Sequence, residues 1–384
     1  GSPLVYRYST APNFQVAQVD FSGEAGRALY HPPLDEAAPD GYDGWMEDFG
    51  EYTPDEAVSA DGTPGPTMHN RYVEQYHATA RDFEEQAPRP LLRYNRSGWT
   101  DSIKESPIVW GGDPTTGWEF DGLSSSVTQG LTMGASGVSV WGPDIGGFFT
   151  LPGDPKLTPE LLARWIEYGA FTGVMRLQSG GISFGGGDKP PVTHPEVAPV
   201  WKRYTRLRTM LYPYVSGSQD AYVESGLPLM RHLALVHPGD PEAVRTDDAY
   251  LFGRDLLVAP VTDPGVAKRR VYLPRGRWVE LARAWRVRDD GRVRLVAAEA
   301  LKGRRTVTAR APLGTIPLFL RGGAVLPMLP RSVDTLSEYD DGVVGVADRA
   351  DRRTLLAAPV RGRWHGPLGP GETMTSRLDR GAWT

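Results

Sequence analysis

Residues 44–52 read GWMEDFGEY, a short apolar stretch that ends among acidic and glycine residues. Trp45 and Met46 precede two carboxylates, Glu47 and Asp48, and Gly50 follows closely. In α/β barrels the functional side chains come just after the carboxyl end of each strand. We therefore predict a strand at 44–49 that carries Asp48 into a site.

The same stretch contains Asp48-Phe49-Gly50, which spells the metal-binding tripeptide of protein kinases. A kinase also needs a glycine-rich loop, a strand lysine and a His-Arg-Asp loop before this tripeptide. The residues that precede Asp48 contain no lysine and no His-Arg-Asp, and the glycine-rich stretch at 179–187 comes far downstream. The sequence therefore argues against a kinase.

Around this stretch, strand-like and helical segments alternate, which predicts an α/β fold with a (β/α)₈ TIM barrel. The predicted strands are fewer than the eight of a closed barrel, so we expect the chain to start inside the barrel, with its first strands missing. A long helix at 200–217 is predicted to end the region. The strands are predicted at 16–21, 44–49, 90–95, 107–110, 137–141 and 173–177, and the helices at 68–86, 123–133 and 159–170.

Beyond residue 218 the pattern changes to short alternating segments separated by turn signals such as Asp-Asp-Gly and Arg-Gly-Gly. This pattern is typical of antiparallel sheets. We predict three regions: the larger, C-terminal part of a barrel at 1–218, an antiparallel β-sandwich domain at 219–330, and the start of a distal β-domain or a tail at 331–384.

Composition excludes several classes of function. The 384 residues include 40% hydrophobic and 10% aromatic residues, enough for a large core, and the net charge of −5 gives no nucleic-acid-binding surface. There is no cysteine and the seven histidines lack metal-ligand spacing, so no metal or cofactor is predicted. No apolar run approaches the ~20 residues that span a bilayer. Without a visible signal peptide, a cytoplasmic location is favoured over secretion.

Charged side chains follow several predicted strands, and a barrel would bring them to one mouth. They are three aspartates and two arginines: Asp48, Asp113, Asp144, Arg96 and Arg176. Two carboxylates that face each other across a sugar can cleave a glycosidic bond, one as nucleophile and one as acid/base. The remaining charged groups would bind hydroxyls through charge-assisted hydrogen bonds. The 11 tryptophans also suit sugar binding, although most tryptophans belong to cores.

These motifs, in this order, resemble glycoside hydrolase family 31, the α-glucosidase and α-xylosidase family. Residues 41–51 resemble the family's nucleophile strand. Residues 96–99 and 109–113 resemble the segment that supplies a sugar-binding arginine and then the acid/base. Residues 144–148 resemble a hydroxyl-binding motif, and residues 169–176 a further sugar-binding segment. Residues 252–260 and 318–324 resemble the β-domain after its barrel. The resemblance implies that Asp48 is the nucleophile and Asp113 the acid/base.

The resemblance also implies a set of substrate-binding residues. Arg96, Asp144 and Arg176 would bind sugar, and Phe49 would shape the pocket. Trp45, Trp110 and Phe148 are equally compatible with a pocket wall and with the core. Glu51 either orients a pocket residue or holds its own loop. Gln178 stands where the family usually has a histidine, and an amide cannot ionise, which allows an altered sugar subsite.

The resemblance implies a retaining α-glycoside hydrolase that acts on a non-reducing terminal, glucose-like sugar through a glycosyl-aspartate. The form Asp-Phe-Gly-Glu at 48–51 is closer to α-xylosidases and sulfoquinovosidases, which stay open as alternatives. A non-catalytic carbohydrate-binding or inactive fragment is the rival from another class. The expected partners are an oligosaccharide or α-glycoside, an N-terminal segment that completes the barrel, and a second copy in a homo-oligomer, with no nucleic acid and no membrane.

Overall fold

The computed structural model describes residues 2–8, 13–37, 39–150, 156–178, 189–287, 293–295, 299–339, 342–358, 360–379 and 382–383. The chain divides into two compact units, Gly1–Trp110 and Gly111–Thr384. The glycine-rich stretch at 179–187 lies outside the described residues.

Short strands and helices follow one another through the first unit. In chain order they are β1 (Val5–Arg7), β2 (Gln15–Ala17), α1 (Glu24–Ala37), β3 (Gly44–Glu47), α2 (Gly65–Gln86), β4 (Leu92–Asn95), α3 (Ser102–Glu105) and β5 (Ile108–Trp110). Strands β3, β4 and β5 form a parallel sheet in which Glu47 pairs with Asn95 and Asn95 with Val109. Their carboxyl ends therefore lie at one edge, and the segments that follow them leave the sheet side by side.

The predicted strands at 44–49, 90–95 and 107–110 are confirmed as β3, β4 and β5. The strand predicted at 16–21 is the shorter β2, which pairs antiparallel with β1 and places Val5 opposite Ala17. Helix α1 was not predicted from the sequence, because Pro32 and Pro33 lie inside it and proline disfavours a helix interior.

Helix α2 packs an apolar face against Phe21. Met68 and Tyr72 are buried with Phe21 in one cluster, and the ring of Tyr76 stacks on Phe21 with centroids 5.4 Å apart. The predicted helix at 68–86, with Tyr72 and Tyr76 on one face, is therefore confirmed. Burial of these large rings contributes roughly 1.5–3 kcal/mol each in transfer free energy, which holds α2 against the segment that contains Phe21.

The second unit begins with further β/α elements. In chain order they are α4 (Leu123–Ala135), β6 (Val140–Gly142), β7 (Asp144–Ile145), α5 (Pro159–Gly169), β8 (Arg176–Leu177), α6 (Ala198–Met210) and α7 (Tyr212–Ser225). Strands β7 and β8 are parallel and place Asp144 opposite Arg176. Helix α5 begins where Thr158 accepts a hydrogen bond from the Leu161 N–H, with proline in its first turn, as the sequence predicts.

The single helix predicted at 200–217 is wrong, because two helices, α6 and α7, meet at Leu211. Pro213 stands at the start of α7, where its missing N–H and fixed φ suit a first turn rather than a helix interior.

The remainder of the second unit is mainly antiparallel β-structure. Its elements are β9 (Met230–His232), α8 (Leu233–Val236), α9 (Pro241–Arg245), β10 (Tyr250–Phe252), β11 (Leu256–Val258), β12 (Lys268–Leu273), β13 (Arg277–Glu280), α10 (Leu281–Ala284), β14 (Trp285–Val287), β15 (Val293–Leu295), β16 (Ala300–Lys302), β17 (Arg305–Arg310), β18 (Leu318–Arg321), β19 (Val325–Met328), a 3-10 turn (Ala347–Arg349), β20 (Thr354–Ala357), β21 (Gly362–Gly369), β22 (Glu372–Asp379) and β23 (Ala382–Trp383). The largest sheet has the strand order β16-β13-β18-β11-β10-β9. Leu251, Leu257, Trp278 and Phe319 are all buried in its core cluster.

Candidate active site

Asp48 lies on a tight turn directly after β3. Phe49 has φ 63° and Gly50 has φ 108°, so both residues adopt backbone conformations that L side chains rarely take. A Cβ atom at Gly50 would lie 2.8 Å from Ser97 Oγ, and Ser97 Oγ donates a 2.6 Å hydrogen bond to the Phe49 carbonyl. Strain of this kind at a non-glycine residue is typical of functional sites, where surrounding contacts hold it in place.

Arg96, which follows β4, lies between two carboxylates of this turn. Its Nε is 3.2 Å from Asp48 Oδ1, and its Nη2 is 2.8 Å from Glu51 Oε1. The Phe49 N–H also donates to Asp48 Oδ1, at 2.8 Å. The Arg96 side chain is only 10% exposed, whereas those of Asp48 and Glu51 are 37% and 38% exposed. The guanidinium therefore orients two carboxylates that remain open to a ligand.

An aromatic group lies beside these charges. Arg96 Cζ lies 4.5 Å from the centroid of the Phe49 ring. The ring of Tyr8 stacks on the same Phe49 ring, with centroids 5.5 Å apart. Tyr52 lies 4.7 Å from Tyr8. Burial raises the pKa of Tyr8, and the neighbouring Tyr52 adds to this effect. Sequence reasoning missed Tyr8 and Tyr52, because nothing in their local sequence indicates that they contact Phe49.

Two of the predicted pocket residues are packed elsewhere in the first unit. The ring of Trp45 meets Phe83 of α2, with centroids 5.8 Å apart, so the structure does not bring Trp45 to the Asp48 carboxylate. Alternation along β3 explains this, since Trp45 and Glu47 face α2 and Met46 faces the other side. Trp110 is 2% exposed and meets the ring of Tyr94 edge-on at 5.3 Å.

In the second unit, Asp144 and Arg176 form an ion pair between Oδ1 and Nη2. Asp144 is 1% exposed, and burial raises its pKa to about 6 although Arg176 favours the ionised carboxylate. The nearby charge of Asp113 raises the pKa of Asp144 further, so these two carboxyl groups interact. The charges of Asp113 and Arg176 thus both act on the Asp144 carboxyl group.

The loops that carry Asp113 and Phe148 are bound to each other. The Phe148 N–H donates to the Pro114 carbonyl at 2.7 Å, and Gly147 has φ 74°. A Cβ atom at Gly147 would lie 2.5 Å from the Thr115 carbonyl oxygen, so only glycine allows the two backbones to approach this closely. The ring of Phe148 packs on Phe149 rather than being free, with centroids 4.9 Å apart.

Lys189 is a further residue of this group that sequence reasoning missed. Its Nζ donates to the carbonyls of Gly147 and Phe148, at 2.7 and 2.9 Å. Burial lowers the pKa of Lys189, while the charge of Asp144 opposes this change. The contact spans about 40 residues of sequence, and no local motif predicts it. Gln178 is half-buried, and its backbone N–H donates to the Ile145 carbonyl at 3.1 Å.

A buried polar cluster lies behind Asp48, on the face of β3 that meets α2. His77 Nδ1 is 2.5 Å from Glu47 Oε2, and His77 Nε2 is 3.0 Å from the Ser97 carbonyl. Arg93 Nη1 donates to Glu47 Oε1 at 2.7 Å, and Arg93 also binds Glu84. Glu47 and His77 are fully buried. No local pattern indicates this cluster, because Glu47 lies 30 positions from His77 and 46 from Arg93 in the sequence.

The described part of the chain contains no group of three or more histidine, cysteine or acidic residues that could hold a metal ion. Over the same residues, no helix has the length and apolar character that a membrane crossing requires.

Comparison with known families explains this arrangement. A model described as the glycosyl hydrolases family 31 TIM-barrel domain matches residues 4–217, and the C-terminal domain model of the same family matches residues 226–326. The chain belongs to glycoside hydrolase family 31. The fold predicted from the sequence, a TIM barrel followed by antiparallel β-structure, is confirmed, and so is the resemblance to this family.

Individual family 31 proteins are similar over much of this chain. The sulfoquinovosidase of Escherichia coli is 34% identical over 288 residues, which are 73% of this chain and 39% of that protein. The α-xylosidase of Saccharolobus solfataricus is 32% identical over 248 residues, 64% of this chain and 31% of that protein. The solved cycloalternan-forming enzyme of Listeria monocytogenes, in complex with a pentasaccharide substrate, has a TM-score of 0.78 and 25% identity, with 98% of this chain and 35% of that chain covered.

The chain thus spans less than half of each of these relatives. They are all carbohydrate-active, and they differ in the sugar that their names specify. The family 31 assignment therefore does not select one sugar.

Proposed function

We propose that this family 31 chain is the catalytic part of a retaining α-glycoside hydrolase that releases a non-reducing terminal sugar. The observation that carries the proposal is Asp48, a partly exposed carboxylate at the end of a parallel strand. A strained turn and Arg96 hold it in one orientation. A carboxylate fixed in this way and open to a ligand is suited to attack on an anomeric carbon.

In the proposed reaction, Asp48 attacks the anomeric carbon while Asp113 donates its proton to the departing glycosidic oxygen. The bond between the anomeric carbon and the leaving group breaks as a β-linked ester to Asp48 forms. Asp113, now a carboxylate, takes a proton from water, and this water displaces Asp48 to give the sugar with its original α configuration. The two steps balance without a metal or an external cofactor.

Asp144 and Arg176 have a binding role in this proposal. Their ion pair presents a carboxylate acceptor and a guanidinium donor on adjacent parallel strands. A pair of this kind can bind two neighbouring hydroxyls of a sugar through charge-assisted hydrogen bonds. Arg96 and Glu51 would hold the turn of Asp48, and Phe148, Phe49 and Gln178 would line the pocket.

The pKa of Asp144 leads to a prediction about pH. Because its pKa is raised to about 6, the carboxylate is lost as pH falls through 6 and is fully present above about pH 7. We expect kcat/KM to decrease below pH 6 through a rise in KM. Asp144→Asn should raise KM at neutral pH and remove this part of the acid limb. Rate profiles from pH 4 to 9 measure both effects. An unchanged acid limb in the variant would contradict the role of Asp144.

Three sugars are candidates for the group that is released. A glucose-like sugar is the general expectation for the family resemblance. A sulfoquinovosyl group is the second candidate, because the Escherichia coli sulfoquinovosidase is 34% identical and residues 48–51 have the form Asp-Phe-Gly-Glu. An α-xylosyl group is the third candidate.

The proposal is tested with 4-nitrophenyl α-glycosides of glucose, xylose, galactose and sulfoquinovose, using the 384-residue chain. We expect release of nitrophenol from one of them and retention of the α configuration in the first sugar product, seen by NMR. A 5-fluoroglycosyl fluoride of the same sugar should label Asp48, identified by mass spectrometry of peptides. Absence of turnover with all four would overturn the proposal in favour of a non-catalytic sugar-binding chain. Label on another residue would instead overturn the assignment of Asp48 as the nucleophile.

A further inference from the structure

The imidazole of His77 joins the ends of two strands that carry the proposed nucleophile and its arginine. On one side it binds Glu47, the residue before Asp48, and on the other it binds the carbonyl of Ser97, the residue after Arg96. Both contacts are buried, and the His77 and Glu47 side chains are 0% exposed. One side chain of α2 therefore fixes the separation of the β3 and β4 ends.

The partners of His77 define where its protons lie. The Ser97 carbonyl can only accept, so Nε2 carries a hydrogen and donates it at 3.0 Å. A bare Nδ1 would then point its lone pair at the Glu47 carboxylate across 2.5 Å, which is repulsive. One proton must occupy this gap, either on His77 as an imidazolium or on Glu47 as a carboxylic acid. In both forms the imidazole binds both strands at once.

The charges of the surrounding groups balance. Arg93 contributes one positive charge and Glu84 one negative charge, with Nη2 and Oε2 2.7 Å apart. The His77–Glu47 pair with its shared proton is neutral in either form. The cluster as a whole therefore carries no net charge, as a buried site requires. Replacement of His77 by a neutral side chain would leave Glu47 either as an uncompensated buried carboxylate or as a buried acid that has lost the partner of its proton.

We infer that His77 is a positioning residue for the reaction: through Glu47 and Ser97 it sets the distance and angle between Asp48 and Arg96. The inference rests on the proposed role of Asp48. The turn at Phe49 is strained and is held by Ser97 Oγ. Ser97 and Arg96 both follow β4, so a shift of the β4 end relative to the β3 end moves both groups that hold the Asp48 carboxylate. A misplacement of about 1 Å lowers the rate of an enzymatic reaction roughly 10²-fold.

The experiment measures the rate at which the 5-fluoroglycosyl fluoride labels Asp48, together with kcat and KM, in His77→Gln and Glu47→Ala. We expect both variants to lower the labelling rate and kcat by about 10²-fold, with KM changed much less, because the sugar-binding Asp144–Arg176 pair lies outside the cluster. Glu47→Gln should have a labelling rate and a kcat at least tenfold higher than those of Glu47→Ala. Its amide can donate to Nδ1 and accept from Arg93, and it leaves the cluster neutral.

The control is Met68→Ala on the same helix. Met68 is 2% exposed and belongs to the cluster with Phe21 and Tyr72, which includes neither Glu47 nor Ser97. It should lower the melting temperature while the folded protein keeps its labelling rate. An unchanged labelling rate in folded His77→Gln, or no recovery in Glu47→Gln, would overturn the inference. Failure of the unmodified chain to label at Asp48 would instead overturn the proposed function.

Discussion

Replacement of Asp48 by alanine is expected to lower hydrolysis of the best 4-nitrophenyl α-glycoside by about 10⁴-fold or more, because loss of a catalytic nucleophile has effects of this size. KM should change much less, since Asp144 and Arg176 remain. The turn itself should persist, because the Ser97 hydroxyl still binds the Phe49 carbonyl at 2.6 Å. Initial rates and circular dichroism of the variant test these statements together.

Azide gives this variant a distinctive product. In Asp48→Ala the anion can enter from the β face that the carboxylate has left, and it should form a β-glycosyl azide from an α-glycoside. Asp43→Ala is the matched control, since Asp43 lies five positions earlier with a side chain that is 89% exposed and pairs only at the surface with Arg89. It should retain parental activity. An α-glycosyl azide from Asp48→Ala would contradict the assignment of the nucleophile.

The strand ends were predictable from the sequence because apolar stretches there give way abruptly to polar residues. The segments at 44–49, 90–95 and 107–110 all form strands of the parallel sheet, and their order places Asp48 and Arg96 at one edge. Helices such as α2 were predictable because their buried residues recur with helical spacing. In these segments the local pattern and the tertiary environment favour the same structure.

Other features depend on contacts that no local pattern contains. Helix α1 forms although Pro32 and Pro33 lie within it, so packing prevails over propensity there. The sequence around His77 predicts only a helix, because its partner Glu47 is 30 positions away. Lys189 reaches Gly147 across a separation of 42 residues. The sequence left Trp45 open between a pocket wall and the core, and alternation along β3 directs its ring to Phe83.

Replacement of Asp113 by alanine should have an effect that depends on the leaving group. A poor leaving group needs the proton of Asp113, so cleavage of an unactivated α-glycoside should slow by about 10²- to 10⁴-fold. The dinitrophenolate that leaves a dinitrophenyl α-glycoside is a stable anion, so its departure in the first step needs no proton. Its second step still lacks the base, so the glycosyl-Asp48 ester should accumulate and give a burst followed by slow turnover.

Azide should separate the two carboxylates. In Asp113→Ala the ester on Asp48 still forms, and azide, which needs no base, should attack it from the α face to give an α-glycosyl azide. This is the opposite anomer to that expected from Asp48→Ala. Glu119→Ala is the control, because Glu119 is an exposed acid six positions further along the chain. If Asp113→Ala slows cleavage of both substrates equally and shows no burst, Asp113 donates no proton. The acid/base would then have to be another carboxyl group.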